Sequence, residues 1–137
     1  MDKKPVNIEI QNAALEKAVF ALGKPVIGVA YNINIEDLVE VSDFSETTFR
    51  LAFTRRTADN EAFSLEVCFT CSVAIKDLKQ LEENEETIRD YAERVKTAIV
   101  NQVHFPERAS MVITDLTRES VGPFFTPPSI TKPQKNA

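Results

Sequence analysis

Asn101-Gln-Val-His-Phe-Pro-Glu-Arg108 decides how this chain is read, together with Leu116-Thr117 and the later Gly122-Pro-Phe-Phe-Thr-Pro-Pro128. Pro106 lies inside a helix-like run, where a proline removes one backbone donor and crowds the carbonyl four residues earlier, here that of Gln102. An apolar stripe nevertheless continues beyond it through Ala109, Val112 and Leu116. The expectation is one helix that bends at Pro106 and does not stop there.

Upstream of this helix the apolar period is two. Phe49, Leu51 and Phe53 alternate with Thr48, Arg50 and Thr54, and Phe63, Leu65, Val67, Phe69, Cys71, Val73 and Ile75 alternate with smaller or polar residues. The intervening Thr57-Ala-Asp-Asn-Glu-Ala62 carries the Asp and Asn that tolerate turn conformations, which predicts a hairpin. Ile27, Val29, Tyr31, Ile33 and Ile35 alternate with Gly28, Ala30, Asn32 and Asn34 and predict another strand, followed by an acidic, mobile loop from Asp37 to Glu46. After Ile75 the period lengthens. Asp77-Leu-Lys-Gln80 has the pattern of a capping box, Asn84 is a second candidate N-cap, and Ile88, Tyr91, Val95, Ile99 and Val103 then fall at helical intervals. Met111 and Ile113 add apolar surface off the main stripe, and covering that second side calls for oligomerisation.

Asn101, Phe105-Pro106, Arg108 and the Pro123-to-Pro128 segment, in this order after a long hairpin, resemble the pattern of the SecB-type export chaperones. The resemblance extends from Phe49 to Ile130. It implies a single α+β domain, with a four-stranded antiparallel sheet followed by a long kinked helix, and a tail flexible from about residue 129 to 137. By propensity Asn12 to Leu22 reads as a helix, whereas the resemblance makes residues 6–23 a bulged first strand, in keeping with the alternation of Ile8 and Ile10.

Function follows from the resemblance in the same way. It implies an ATP-independent holdase, a homotetramer whose apolar grooves bind unfolded or partly folded polypeptides. Phe124, Phe125 and Ile130 are the candidates for the groove wall, since exposed aromatics flanked by prolines grip varied apolar chains. Leu65, Val67 and Phe69 match the family positions at the subunit interface. Glu66 matches one of the acids that contact the SecA motor, but Ala18 and Leu22 stand where other acids are expected, and Pro133 falls where a second C-terminal helix would run. Those departures put SecA docking in doubt and favour a chaperone dedicated to one partner, such as the antitoxin of a toxin–antitoxin pair. A non-chaperone oligomeric module of the same fold is the third reading.

Composition narrows the field further. The chain has 137 residues, 43% of them hydrophobic, enough for one core-bearing domain. A formal net charge of −5 repels phosphate, so nucleic acid and anionic membrane are not expected partners. The N-terminal residues lack an apolar core of signal type and no run approaches a bilayer span, which predicts a cytoplasmic protein. Cys68 and Cys71 are three apart on a strand and face opposite sides, so neither a zinc site nor a redox pair is expected. With one histidine, His104, three glycines and no phosphate loop, and with Glu82 to Glu86 read as a solvated helix entry, neither catalysis nor a cofactor is expected.

Overall fold

A computed structural model describes residues 3–24 and 33–131. The alternating segments become four strands: β1 (Ile8–Leu22), β2 (Ile35–Ser42), β3 (Thr48–Thr57) and β4 (Phe63–Ile75). They form one sheet in the order β1-β4-β3-β2, with every neighbouring pair antiparallel. Three helices follow, α1 (Leu78–Glu83), α2 (Ile88–Gln102) and α3 (Phe105–Thr117), and α2 and α3 pack on one sheet face. The expected α+β fold with a four-stranded antiparallel sheet is therefore observed.

Directly paired residues of an antiparallel sheet share a face. The β4 row from Phe63 to Ile75 thus lies with Phe49, Leu51 and Phe53 of β3 under the helices, and all of them are buried. α3 contributes Phe105, Ala109 and Ile113, four residues apart, and the Phe105 ring stacks on Phe69 with centroids 5.4 Å apart. α2 contributes Tyr91, Ala92, Ile99 and Val100. Over β2, the Phe44 ring stacks on Phe49, and the Arg89 guanidinium lies 4.4 Å from the Phe44 centroid.

The first strand follows the resemblance and not helix propensity. Residues 8–22 are one strand with register shifts at Gln11/Ala14 and Leu15/Lys17, and Asn12 adopts φ 56° at the first. Tertiary pairing with β4 outweighs the local preference. Gly23 then closes against the β3–β4 turn, its N–H donating to the Ala62 carbonyl at 2.8 Å; an added Cβ would stand 2.3 Å from the Glu61 carbonyl oxygen.

Several expectations are corrected. Asp37 to Ser42 is not a mobile loop but most of β2, because Ile35, Asp37, Val39 and Val41 face the helices and pair with β3. The strand expected at Ile27–Ile35 lies mostly outside the described residues. The long kinked helix is two helices: α2 ends at Gln102, His104 takes a left-handed φ of 60°, and its carbonyl accepts from Arg108 N to open α3. Pro106 falls in the first turn of the new helix, where the N–H it lacks has no intrahelical partner to lose. Asn84 closes α1, while Thr87 caps α2 through Asp90 N at 3.1 Å; Asp77 caps α1 as expected. Ile113 is core, leaving only Met111 exposed off the stripe.

Leu65, Val67 and Phe69 are corrected as well. They are 3%, 0% and 3% exposed inside the chain's own sheet–helix core, and so have no surface to offer another subunit. Glu86 is likewise no solvated helix entry. Its side chain is 2% exposed and takes two hydrogen bonds from the Arg94 guanidinium, at 2.8 and 2.9 Å.

Candidate polypeptide-binding surface

After α3 the chain turns at Gly122, whose φ of 86° is open to glycine, and residues 123–131 run back along the helix as a strap. Thr117, Thr114 and Ser110 lie along one side of α3 and hold its backbone. Thr117 Oγ1 accepts from Phe124 N at 2.8 Å, Ser110 Oγ donates to Thr126 O at 2.7 Å, and the single Thr114 hydroxyl proton is shared between Ser110 O at 2.9 Å and Phe124 O at 3.3 Å. Phe124 packs its ring against Phe63, 5.5 Å between centroids, and Phe63 in turn lies against Phe20 of β1.

On its other side the strap meets an ion pair that the sequence reading missed. Arg55 and Asp37 are directly opposite on β3 and β2 in the row facing the helices, and both side chains are 0% exposed. Two parallel bonds of 2.8 Å join them. The three remaining N–H groups are shared among Thr126 Oγ1 at 2.9 Å, Pro127 O at 2.5 Å, Ser129 O at 2.9 Å and, at the longest reach, Pro106 O at 3.4 Å. Asp37 also accepts from Thr131 N at 2.8 Å. A buried charge is tolerable only when paired and fully hydrogen-bonded, and among the described residues no buried side-chain polar atom lacks a partner. Ser129 O and Thr131 N are thereby bonded to the pair; the tail beyond lies outside the described residues, Pro133 included.

The structure separates the three groove candidates. Phe124 and Ile130 pack against the core from the strap, whereas Phe125 is 75% exposed. Other exposed apolar side chains are Met111 on α3, Leu78 on α1, Leu38 on β2, Val121 just before the strap, and Leu15, Val19 and Leu22 on β1. β1 is the terminal strand of the sheet, and of the helices only α3 touches it to any extent. By register Leu15, Ala18 and Leu22 lie on its helix-side face beside Phe69, Val67 and Phe63. Among the described residues no strand pairs with its outer edge, and a long edge strand with exposed leucines is a template for another strand or another copy.

Glu66 belongs to the opposite, helix-free face with Lys17, Val19, Arg50, Arg56 and Glu36. Ala18 and Leu22 do not share that face, so they do not occupy an acidic patch around Glu66. Most of its charges are paired, as Lys17–Glu66, Arg50–Glu16, Arg56–Glu36 and Lys76–Glu9, while Glu40 in the outward row of β2 makes no ion pair with a described residue. Hydrogen bonds from Lys76 and Arg50 hold the Glu9 and Glu16 carboxyls below the usual carboxylate range, and Glu66 raises the Lys17 ammonium. The result is a face with most of its acids paired, and it holds a shallow groove of about 270 Å³ bordered by Lys17, Val19, Arg56 and Glu66.

His104 is exposed, 3.6 Å from Glu107, and among the described residues no cluster of His, Cys, Asp and Glu could hold a metal ion. Cys71 is buried and Cys68 half-buried on the other face, as the alternation requires, and burial pushes the Cys71 thiol up to about 11. No helix among the described residues is long and apolar enough to cross a membrane.

No family model and no curated protein sequence matches the chain. Solved structures do. A SecB-like chaperone of Mycobacterium tuberculosis, determined in complex with a ChAD peptide from the HigA1 antitoxin, superposes with a TM-score of 0.63 at 13% identity, over 88% of this chain and 86% of that one. A Streptococcus agalactiae protein of unknown function gives 0.42 at 5% identity, over 90% and 99%. The fold of this chain is SecB-like.

Proposed function

We propose that this protein is a SecB-like molecular chaperone, an ATP-independent holdase that binds non-native polypeptides through exposed apolar surface on β1, α3 and the strap. The observation that carries the reading is the SecB-like fold, whose solved counterpart holds an antitoxin peptide. The exposed Leu15, Val19 and Leu22 of β1, Met111 of α3 and Phe125 of the strap support it, since such side chains take short apolar segments with little sequence preference. Assembly into a homotetramer belongs to the same proposal. With Leu65, Val67 and Phe69 committed to the core, the β1 edge is the surface available for contact between copies.

The pairing of Glu66, Glu16 and Glu36 favours service to a dedicated partner, such as an antitoxin, over docking on SecA, because acids already paired offer a basic surface little field. The cytoplasm is the compartment that fits either service. At stoichiometric excess the protein should suppress aggregation of a denatured client, and ATP should change nothing. A pull-down from native cytosol should return one dominant partner; many preproteins would favour the export reading. Unaltered aggregation across several clients would leave only the non-chaperone module.

A further inference from the structure

The strap is held the way a peptide ligand is held. Six of its contacts are to main-chain atoms: Phe124 N and O, Thr126 O, Pro127 O, Ser129 O and Thr131 N. Only the Thr126 hydroxyl is engaged through a strap side chain by Arg55. Backbone N–H groups are used at the two ends alone, so the centre is read through carbonyls and admits Pro127 and Pro128, which have no N–H to offer. Phe124 and Ile130 supply the two apolar anchors. Recognition by main-chain bonds with a few apolar pockets accepts many sequences in one groove.

The groove is also poorly suited to standing empty. Arg55 and Thr117 are 0% exposed, and withdrawal of the strap would strip the guanidinium of three acceptors. Any segment that replaced the strap would have to bring carbonyls to the same places. We propose that residues 123–131 are the resident occupant of a peptide channel formed by α3 and the Arg55–Asp37 pair, and that an extended, proline-tolerant apolar segment of a client exchanges with them. This rests on the polypeptide-binding reading above and adds its regulation: a docked strap lowers the apparent affinity by the fraction of molecules in which it is docked.

The test uses the full chain with Ser110→Ala and Thr114→Ala together, half-buried positions on α3 whose loss frees Phe124 O and Thr126 O while leaving the core intact. Hydrogen exchange should speed up across residues 123–131 with β4 protection unchanged. The apparent affinity for reduced, carboxymethylated α-lactalbumin, a permanently unfolded probe, should rise about tenfold, as expected for the loss of one full neutral hydrogen bond and part of a second. A synthetic peptide of residues 122–131 should compete with the probe. Phe124→Ala is a second release variant, to be used if β4 protection is lost in the first. Faster strap exchange with unchanged affinity, or a peptide that fails to compete, overturns the exchange inference and spares the chaperone reading. Failure of every form to bind the probe overturns both.

Discussion

Removing the carboxylate of Asp37 is the sharpest probe of how this fold is held. In Asp37→Ala, Arg55 keeps its bonds to Pro106, Thr126, Pro127 and Ser129 but loses its counter-charge, and Thr131 N loses its acceptor. Both charged side chains are wholly excluded from water, so solvent cannot compensate. Breaking one partner of a buried pair costs about 3–5 kcal/mol, from a total stability on the order of 5–15 kcal/mol. For 137 residues the unfolding entropy is about 0.29 kcal/mol/K, so each kcal/mol moves Tm by about 3.5 °C and the variant should melt about 10–17 °C lower. Thermal and urea unfolding followed by circular dichroism give the measurement. Replacing both residues, as Arg55→Met with Asp37→Leu, should not restore stability, because the Pro106, Pro127 and Ser129 carbonyls and Thr131 N all lose their partner. A loss below about 1 kcal/mol in Asp37→Ala, or full recovery in the double variant, would show that the clasp contributes little and refute the reasoning.

Three further outcomes are expected. Val67→Asp places a carboxylate at a position 0% exposed within the chain's own core, so it should unfold the protein by several kcal/mol instead of only dissociating an assembly; a folded monomer by light scattering and circular dichroism would contradict the core assignment. With the Cys71 thiol pushed up to about 11 by burial, a thiol reagent at neutral pH should modify Cys68 first and Cys71 only after unfolding, as peptide mass mapping would show. The Glu86 carboxyl is held below its ordinary 4.5 by hydrogen bonds from Arg94, with burial opposing and Lys3 adding to the lowering. Its contribution is therefore complete above the unfolded value and lost as pH falls through the folded one. Glu86→Gln should be less stable at pH 7 and should flatten the loss of stability below about pH 4.5; parallel acid-denaturation curves would refute this.

What the sequence disclosed follows the strength of its periodicities. The β3–β4 hairpin was legible because thirteen residues of β4 alternate without interruption around a turn-forming Asp-Asn. β1 was legible only by resemblance, since Ala14 to Leu22 favours helix locally and becomes strand through pairing with β4. β2 was missed because its inward row contains Asp37 and its outward row two glutamates, which together look like a loop. The missing signal was relational: a charge in the inward row of one strand is informative only when register sets it opposite another, and Asp37 and Arg55 meet in space across 18 positions of chain. Pro106 was misread for a related reason. The same residue kinks a helix interior or starts a helix, and what decides is the left-handed His104 two residues earlier, a conformation that no spacing rule reveals. The interface assigned to Leu65, Val67 and Phe69 failed because an alternating row says that one face is covered without saying by what.

The clasp also bears on the order in which the molecule assembles. Arg55 draws its acceptors from positions 18, 51, 71, 72 and 74 residues further along or back in the chain, so no local segment can form it. Loop-closure entropy opposes such contacts until the sheet and both long helices are in place. The helix and strap side of the clasp is then expected to close in the last stage of folding, beyond the transition state, with its energy falling on the unfolding rate more than on the folding rate. In stopped-flow kinetics Asp37→Ala should raise the unfolding limb and leave the refolding limb nearly in place. The clasp in that case is a brake on opening, and this chain depends for its lifetime as a folded protein on a contact that plays no part in finding the fold.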